Sequence, residues 1–215
     1  MLRQILTTLV LAALPVLPAA AEDEAPAPPA SMAAALAPAL QPGDLVFKGA
    51  STALWTELAA QWSTGDRRWG HVGIVVSAPE AGGGPVIIVH ADTGVSDPAG
   101  ETIGEVRGVP LDAFLGTADQ AGVYRFALAP HERTRMINYA EKAARAHIPF
   151  DRGYSLDSAN NLYCTELVWR ALSEGLTRDA LPQKSRRLGR TYVALSDLSM
   201  HPLAAEVTQV DWRSK

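Results

Sequence analysis

Two spacings of apolar residues divide the chain. Asp44-Leu45-Val46-Phe47 predicts a short strand. The nearly unbroken apolar stretches His71–Ser77 and Val86–Ala91, parted by the Gly-rich turn Ala81–Pro85, predict an antiparallel hairpin. Further short strands are expected over Glu105–Leu111 and Gly122–Ala127. The period then changes. Pro130 opens a helix in which Met136, Ala140, Ala143, Ala144 and His147 recur at helical spacing, and Pro149 stops it. Cys164, Leu167, Val168, Ala171 and Leu172 form a second stripe, with Gly175 as the expected C-cap. Ser51-Thr52 caps a third helix carrying Leu54, Trp55, Leu58 and Trp62 on one face, ended by Gly65-Asp66. The tail from Thr191 is mixed and predicts no element. A small antiparallel sheet with helices packed on it, an α+β domain, is the expected architecture.

The N-terminus reads as an address. Arg3, the apolar stretch Ile5–Leu17 broken by Pro15, and Ala19-Ala20-Ala21 before Glu22 are the three parts of a secretory signal peptide over residues 1–21. The run is too short and too Pro-broken to span a bilayer. Cleavage near Ala21-Glu22 implies a periplasmic or secreted protein. Residues 22–41 read as a flexible Ala/Pro-rich lead-in with a short helix near Ser31–Leu36, and the folded domain is expected over 42–215, from Pro42-Gly43-Asp44. With 215 residues, 47% apolar and 20% charged, the chain can bury a core and is neither disordered nor collagen-like. A net charge of −4 disfavours nucleic acid as a partner. A lone Cys164 excludes an internal disulfide.

Cys164 opens its helix, where backbone N–H groups and the helix dipole favour a thiolate and can receive an oxyanion. It can equally be the first residue of an apolar stripe, since Cys is among the most buried residue types. His71 and His90 tip the balance. They lie on the two strands of the predicted hairpin, within a couple of residues of register. One can act as base to the thiol while the other holds its tautomer. His131, His147 and His201 sit at a helix start, at a helix end and beside a proline, and carry no such pattern. One Cys and two His are a conceivable zinc set, but the spacing is wide and neither HExxH nor CxxC occurs. Gly82-Gly83-Gly84 reads as a turn, and no GxSxG elbow is present. No metal and no cofactor is expected.

Pro42-Gly43-Asp44-Leu45-Val46-Phe47, Trp69-Gly70-His71-Val72-Gly73-Ile74-Val75, Val89-His90-Ala91 and Tyr163-Cys164-Thr165-Glu166-Leu167-Val168 together resemble the NlpC-type cysteine hydrolases. The histidines precede the cysteine, as in the circularly permuted YiiX/YebB-like branch, which includes relatives of lecithin:retinol acyltransferase. Ile148-Pro149-Phe150-Asp151 followed by Tyr154 resembles the same branch. The resemblance covers about residues 42–200. It implies a permuted papain-like fold with Cys164 as nucleophile, His71 as base and His90 as the residue orienting it. Tyr163 and Glu166 match supporting positions beside the nucleophile; for Glu166 an ordinary solvated first-turn carboxylate is the alternative. Many relatives carry a Tyr hydroxyl at the position of Phe150. Phe150 cannot donate, which leaves Tyr154 or backbone N–H groups for the oxyanion.

The first functional expectation is therefore an exported cysteine hydrolase acting on an amide in cell-wall peptide, through an open groove. A lipid or N-acyl amide hydrolase or acyltransferase of the same fold is the second, with Trp55, Leu58 and Trp62 lining an apolar pocket or facing a membrane, although their spacing is also that of a plain core helix, the commoner case. A non-catalytic peptide- or lipid-binding protein is the third. Lys184, Arg186, Arg187 and Arg190 form a basic cluster suited to phosphate or carboxylate, or to a solvated loop. The sequence carries no signal of oligomeric state.

Overall fold

The structure is a computed structural model that describes residues 31–49, 60–78, 84–94, 104–158 and 160–213. Its centre is a six-stranded antiparallel sheet built from β1 (Leu45–Gly49), β2 (Trp69–Ser77), β3 (Ile87–Ala91), β4 (Val106–Pro110), β5 (Gln120–Phe126) and β8 (Ala204–Asp211), in the order β4-β3-β2-β1-β5-β8. The two-residue period of each strand fills both faces. Leu45, Phe47, Val72, Ile74, Val89, Tyr124 and Phe126 point to one side, where α3 (Pro130–Arg145) and α4 (Cys164–Leu176) complete the main core. Val46, Val75, Ile88, Ala121 and Val123 point to the other, against α1 (Met32–Leu36) and α2 (Leu111–Leu115).

The expected hairpin, the two flanking strands and both long helices form. The predicted helix over Ser51–Trp62 is helical at residues 60–62; Trp55 and Leu58 lie outside the described residues, as do the signal segment 1–21 and the turn at Gly82. Two boundaries differ from expectation. The Ala/Pro-rich lead-in carries the expected short helix, α1, which Ser31 caps by accepting from the Ala34 N–H at 3.1 Å. Met32, Leu36 and Leu40 are buried against the sheet, so this stretch is core and not linker. Gly175 is not a cap. It sits inside α4, where an added Cβ would come within 2.8 Å of the Glu132 carbonyl of α3, and Thr177 ends the helix in the left-handed region at φ 54°. The smallness of Gly175 sets how closely the two helices approach.

The tail from Thr191, with the segment just before it, resolves into three pieces. A two-stranded hairpin of β6 (Ser185–Arg187) and β7 (Arg190–Tyr192) is followed by α5 (Leu195–Ser199) and then by β8 on the sheet edge. β6, β7 and α5 are too short to impose a period on the sequence, and the eight-residue edge strand β8 alternates no buried positions with exposed ones.

Candidate active site

The site lies where β2 and β3 part. Val75 directs its N–H to the Asp44 carbonyl (2.8 Å) and its carbonyl to the Gly43 N–H (2.7 Å), on the β1 side. Backbone groups alternate along a strand, so the N–H of Val72 faces β3. The β2–β3 ladder, however, is registered only from Ile74↔Val89 toward Ser77. The Val72 N–H is therefore left without a partner in this ladder, and it favours the charged form of the Cys164 thiol. Cys164 opens α4 after Tyr163, which is extended and makes no side-chain cap, so the N–H groups of Cys164 and Thr165 also act on the sulfur. The helix start is clamped in place. Thr165 Oγ1 donates to the Val193 carbonyl at 2.6 Å, and the Val193 N–H donates to the Tyr163 hydroxyl at 2.9 Å.

His71 and His90 project from the face of the sheet that carries Phe114, whose ring lies 5.6 and 5.2 Å from theirs. His71 Nε2 meets His90 Nδ1 at 2.9 Å, with the rings nearly perpendicular at 85°. His71 Nδ1 has no partner among the described residues. For Nδ1 to accept a proton, Nε2 must carry one and donate it to His90 Nδ1, which puts the His90 proton on Nε2. That atom is buried and unpartnered among the described residues.

Lys48 completes the cluster. It stands directly across from His71 in the β1–β2 register, and its Nζ donates to the Phe114 carbonyl at 2.7 Å while lying 5.0 Å from that ring's centre. Burial lowers its pKa; Asp92 and the Cys164 thiol draw it back up. In return the ammonium pulls the thiol down and disfavours charge on both imidazoles. Asp92, itself paired with Arg107, works the other way on His90.

Burial dominates the titration of all three groups. It pushes the Cys164 thiol up to about 11, outweighing the N–H groups of Val72, Thr165 and Cys164 and the ammonium of Lys48. It holds His71 well below its ordinary 6.5 and His90 at about 4. The thiolate expected from the helix start is thus overridden by desolvation. Near neutral pH the thiol and both imidazoles therefore rest uncharged.

A cavity of about 350 Å³ opens beside Cys164. Its walls include Trp62, Tyr154, Tyr163 and Tyr192, with Arg152 and Arg190 among the exposed lining residues and no carboxylate in the lining among the described residues. Tyr192 fixes Trp62 by edge-on ring contact at 5.3 Å and by donating to its carbonyl at 2.7 Å. The opposite wall is shaped by Asp151, which is buried and accepts from the N–H groups of Gly153 (2.8 Å) and Ser155 (2.7 Å). This turn holds Tyr154 at φ 48°, an uncommon conformation for a bulky residue. Tyr154 feels the charge of Cys164, and with its pKa raised to about 12 it stays protonated as a donor. Phe150 lies one layer behind, its ring edge-on to Tyr154 at 5.9 Å and outside the cavity lining.

Glu166 is not the solvated carboxylate offered as an alternative. It is 0% exposed and paired with Arg170 at 2.8 Å. His147 pairs with Glu105, and His201 stacks on Phe126 and bonds the Ala180 carbonyl; neither faces the site. Lys48 and Asp151 are positions beside the site to which sequence reasoning gave no role. Lys48 had one usable signal: alternation along β1 places it on the side of His71.

The sequence profile of the permuted papain-like amidase enzymes (YaeF/YiiX, C92) matches residues 39–197. The fold is similar to the crystal structure of the metalloprotein YiiX from Escherichia coli O157:H7, with a TM-score of 0.59 and 19% identity over 80% of this chain and 98% of that one. No curated protein matches the sequence. Among the described residues no three His, Cys, Asp or Glu side chains gather as a metal set. His71 Nε2 and His90 Nδ1 face each other, so the two imidazoles do not present a joint pair of donors to an ion.

Proposed function

The chain belongs to the permuted papain-like amidase family, a family of thiol-dependent hydrolases, and on that premise we propose that Cys164, His71 and His90 are its catalytic set. As Cys164 Sγ attacks an amide carbonyl carbon, its proton passes to His71 Nδ1. The imidazolium is held by the His71 Nε2–H bond to His90 and stays next to the developing charge. The carbonyl oxygen, now an oxyanion, is received by the Cys164 N–H and the Tyr154 hydroxyl, with the Lys48 ammonium offsetting the negative charge. When the C–N bond breaks, the leaving nitrogen takes the proton from His71. Water then gives a proton back to His71 and its oxygen to the acyl carbon, which frees the acid and the thiol.

One observation carries this reading: the Lys48 ammonium, strand partner of His71, acts both on the Cys164 thiol and on the two imidazoles, which ties the helix start to the histidine pair. The pocket supports an apolar acyl or aromatic group beside the scissile bond, as in an N-acyl amide. Cell-wall peptide is the second reading, favoured by Arg152 and Arg190, which suit its carboxylates. The expected signal peptide places either substrate outside the cytoplasm. The test is rapid quenching with N-acyl amino-acid amides and with murein peptides, followed by mass spectrometry. An acyl group on Cys164 is expected first with the N-acyl amides. No adduct with either class, from a chain that unfolds cooperatively by calorimetry, sinks the catalytic reading.

A further inference from the structure

The β6–β7 hairpin carries strain and apolar exposure that its place in the fold does not require. Its tip is Leu188-Gly189, at φ 50° and 78°. A two-residue turn with both centres at positive φ favours Asn or Gly at the first position, and a leucine there is sterically costly. Leu188 is also 91% exposed, the most exposed large apolar side chain among the described residues. The conformation and the exposure together point to a role for this side chain outside the chain itself.

The surroundings say what kind of role. Arg186, Arg187 and Arg190 flank the tip, and no acidic residue occurs between Asp179 and Asp197. Arg186 is exposed and has no hydrogen-bond or ion-pair partner among the described residues. Lys184 does not belong to the group, because it is paired with Asp179 at 2.7 Å. The hairpin is also joined to the pocket. Arg187 lies over Trp62 at 5.5 Å, and Arg190 donates to the Gly153 carbonyl at 3.0 Å, linking the two walls.

We propose that this tip docks the protein on an anionic lipid surface, Leu188 entering between headgroups while Arg186, Arg187 and Arg190 meet lipid phosphates. An acidic polymer would use the arginines but has no use for a strained, protruding leucine. A lipid layer offers negative charge at its surface and apolar material just beneath. Docking through this hairpin brings the mouth of the aromatic pocket to the surface. The inference stands apart from the catalytic reading, since Cys164→Ala leaves the tip unchanged.

The test is partition of the full chain between buffer and vesicles of phosphatidylcholine alone or mixed with phosphatidylglycerol, the N-terminus being the same in every variant. Binding is expected only to the mixed vesicles. Leu188→Asn, which suits the turn better than leucine, is expected to weaken it about tenfold, and Arg186→Gln about fivefold. The rate of Cys164 alkylation stays the same in both. A second measurement locates the contact: an environment-sensitive dye on Leu188→Cys, in a Cys164→Ala background, shifts to the blue on mixed vesicles. Equal binding by Leu188→Asn and the parent, or an unshifted dye, overturns the proposal. Competition by soluble polyglutamate with no dependence on Leu188 would identify an acidic polymer instead, and overturns it too.

Discussion

α3 and α4 lie side by side and start in the same way, yet their first turns are put to opposite uses. Each carries a glutamate at its third position, Glu132 in α3 and Glu166 in α4. Glu132 stays near solvent and accepts from the Ala129 N–H at 2.8 Å, closing the helix end. Glu166 is sunk in the core. Its Oε1 takes the Arg170 guanidinium, its Oε2 has no partner among the described residues, and burial raises its pKa to about 7. A helix end that need only be stable leaves its carboxylate half-exposed and spent on its own cap. The one that presents Cys164 under a pocket loses that option, because the residues around the thiol are buried with it.

The largest expected effect falls on α4 alone. Cys164→Ala removes turnover by on the order of 10⁴-fold or more, while the thermal unfolding midpoint barely moves; substrate kinetics and calorimetry check both. His71→Ala follows, with a loss of about 10²–10⁴-fold in kcat. His90→Leu loses more than His90→Asn, whose Oδ1 can still accept from His71 Nε2–H. Equal losses would mean that the contact between the imidazoles does not orient the base.

The next effects are in pH. The folded value of about 4 for His90 lies below its ordinary 6.5, so the unfolded chain takes up the proton first. Stability is therefore intact above pH 6.5 and drains as pH falls toward 4. Glu166 runs the other way. Its folded value of about 7 lies above 4.5, so its contribution is full below 4.5 and drains as pH rises to 7. Urea titrations across this range should show the Glu166 slope vanish in Glu166→Gln and persist in Glu132→Gln. The smallest effect is that of Glu132→Gln itself, about 0.5–1 kcal/mol of stability with no change in kcat.

Much of this was legible in the residues. The hairpin and both long helices are periodic over many positions, and the order His71, His90, Cys164 marks the permuted family. What escaped the sequence was tertiary in origin. Met32, Leu36 and Leu40 do follow a helical spacing, but the Ala/Pro-rich composition around them reads as linker. Gly175 was taken for a cap because its neighbour across the interface, the Glu132 carbonyl, lies more than forty residues away in the chain. The charge state of Cys164 was misjudged because the position of a helix start can be read from spacing and the depth of its burial cannot. Lys48 enters the site only through the pairing of β1 with β2.

The order of the elements has a consequence in time. Both imidazoles sit on strands that precede α4 in the chain, so the sulfur joins them only when α4 docks on the sheet. Before docking, the sulfur sits in water and behaves as free cysteine, with a pKa near 8.5. After docking it is buried, at about 11. A pulse of iodoacetamide at mildly alkaline pH during refolding therefore works as a stopwatch: the moment labelling slows is the moment α4 seats.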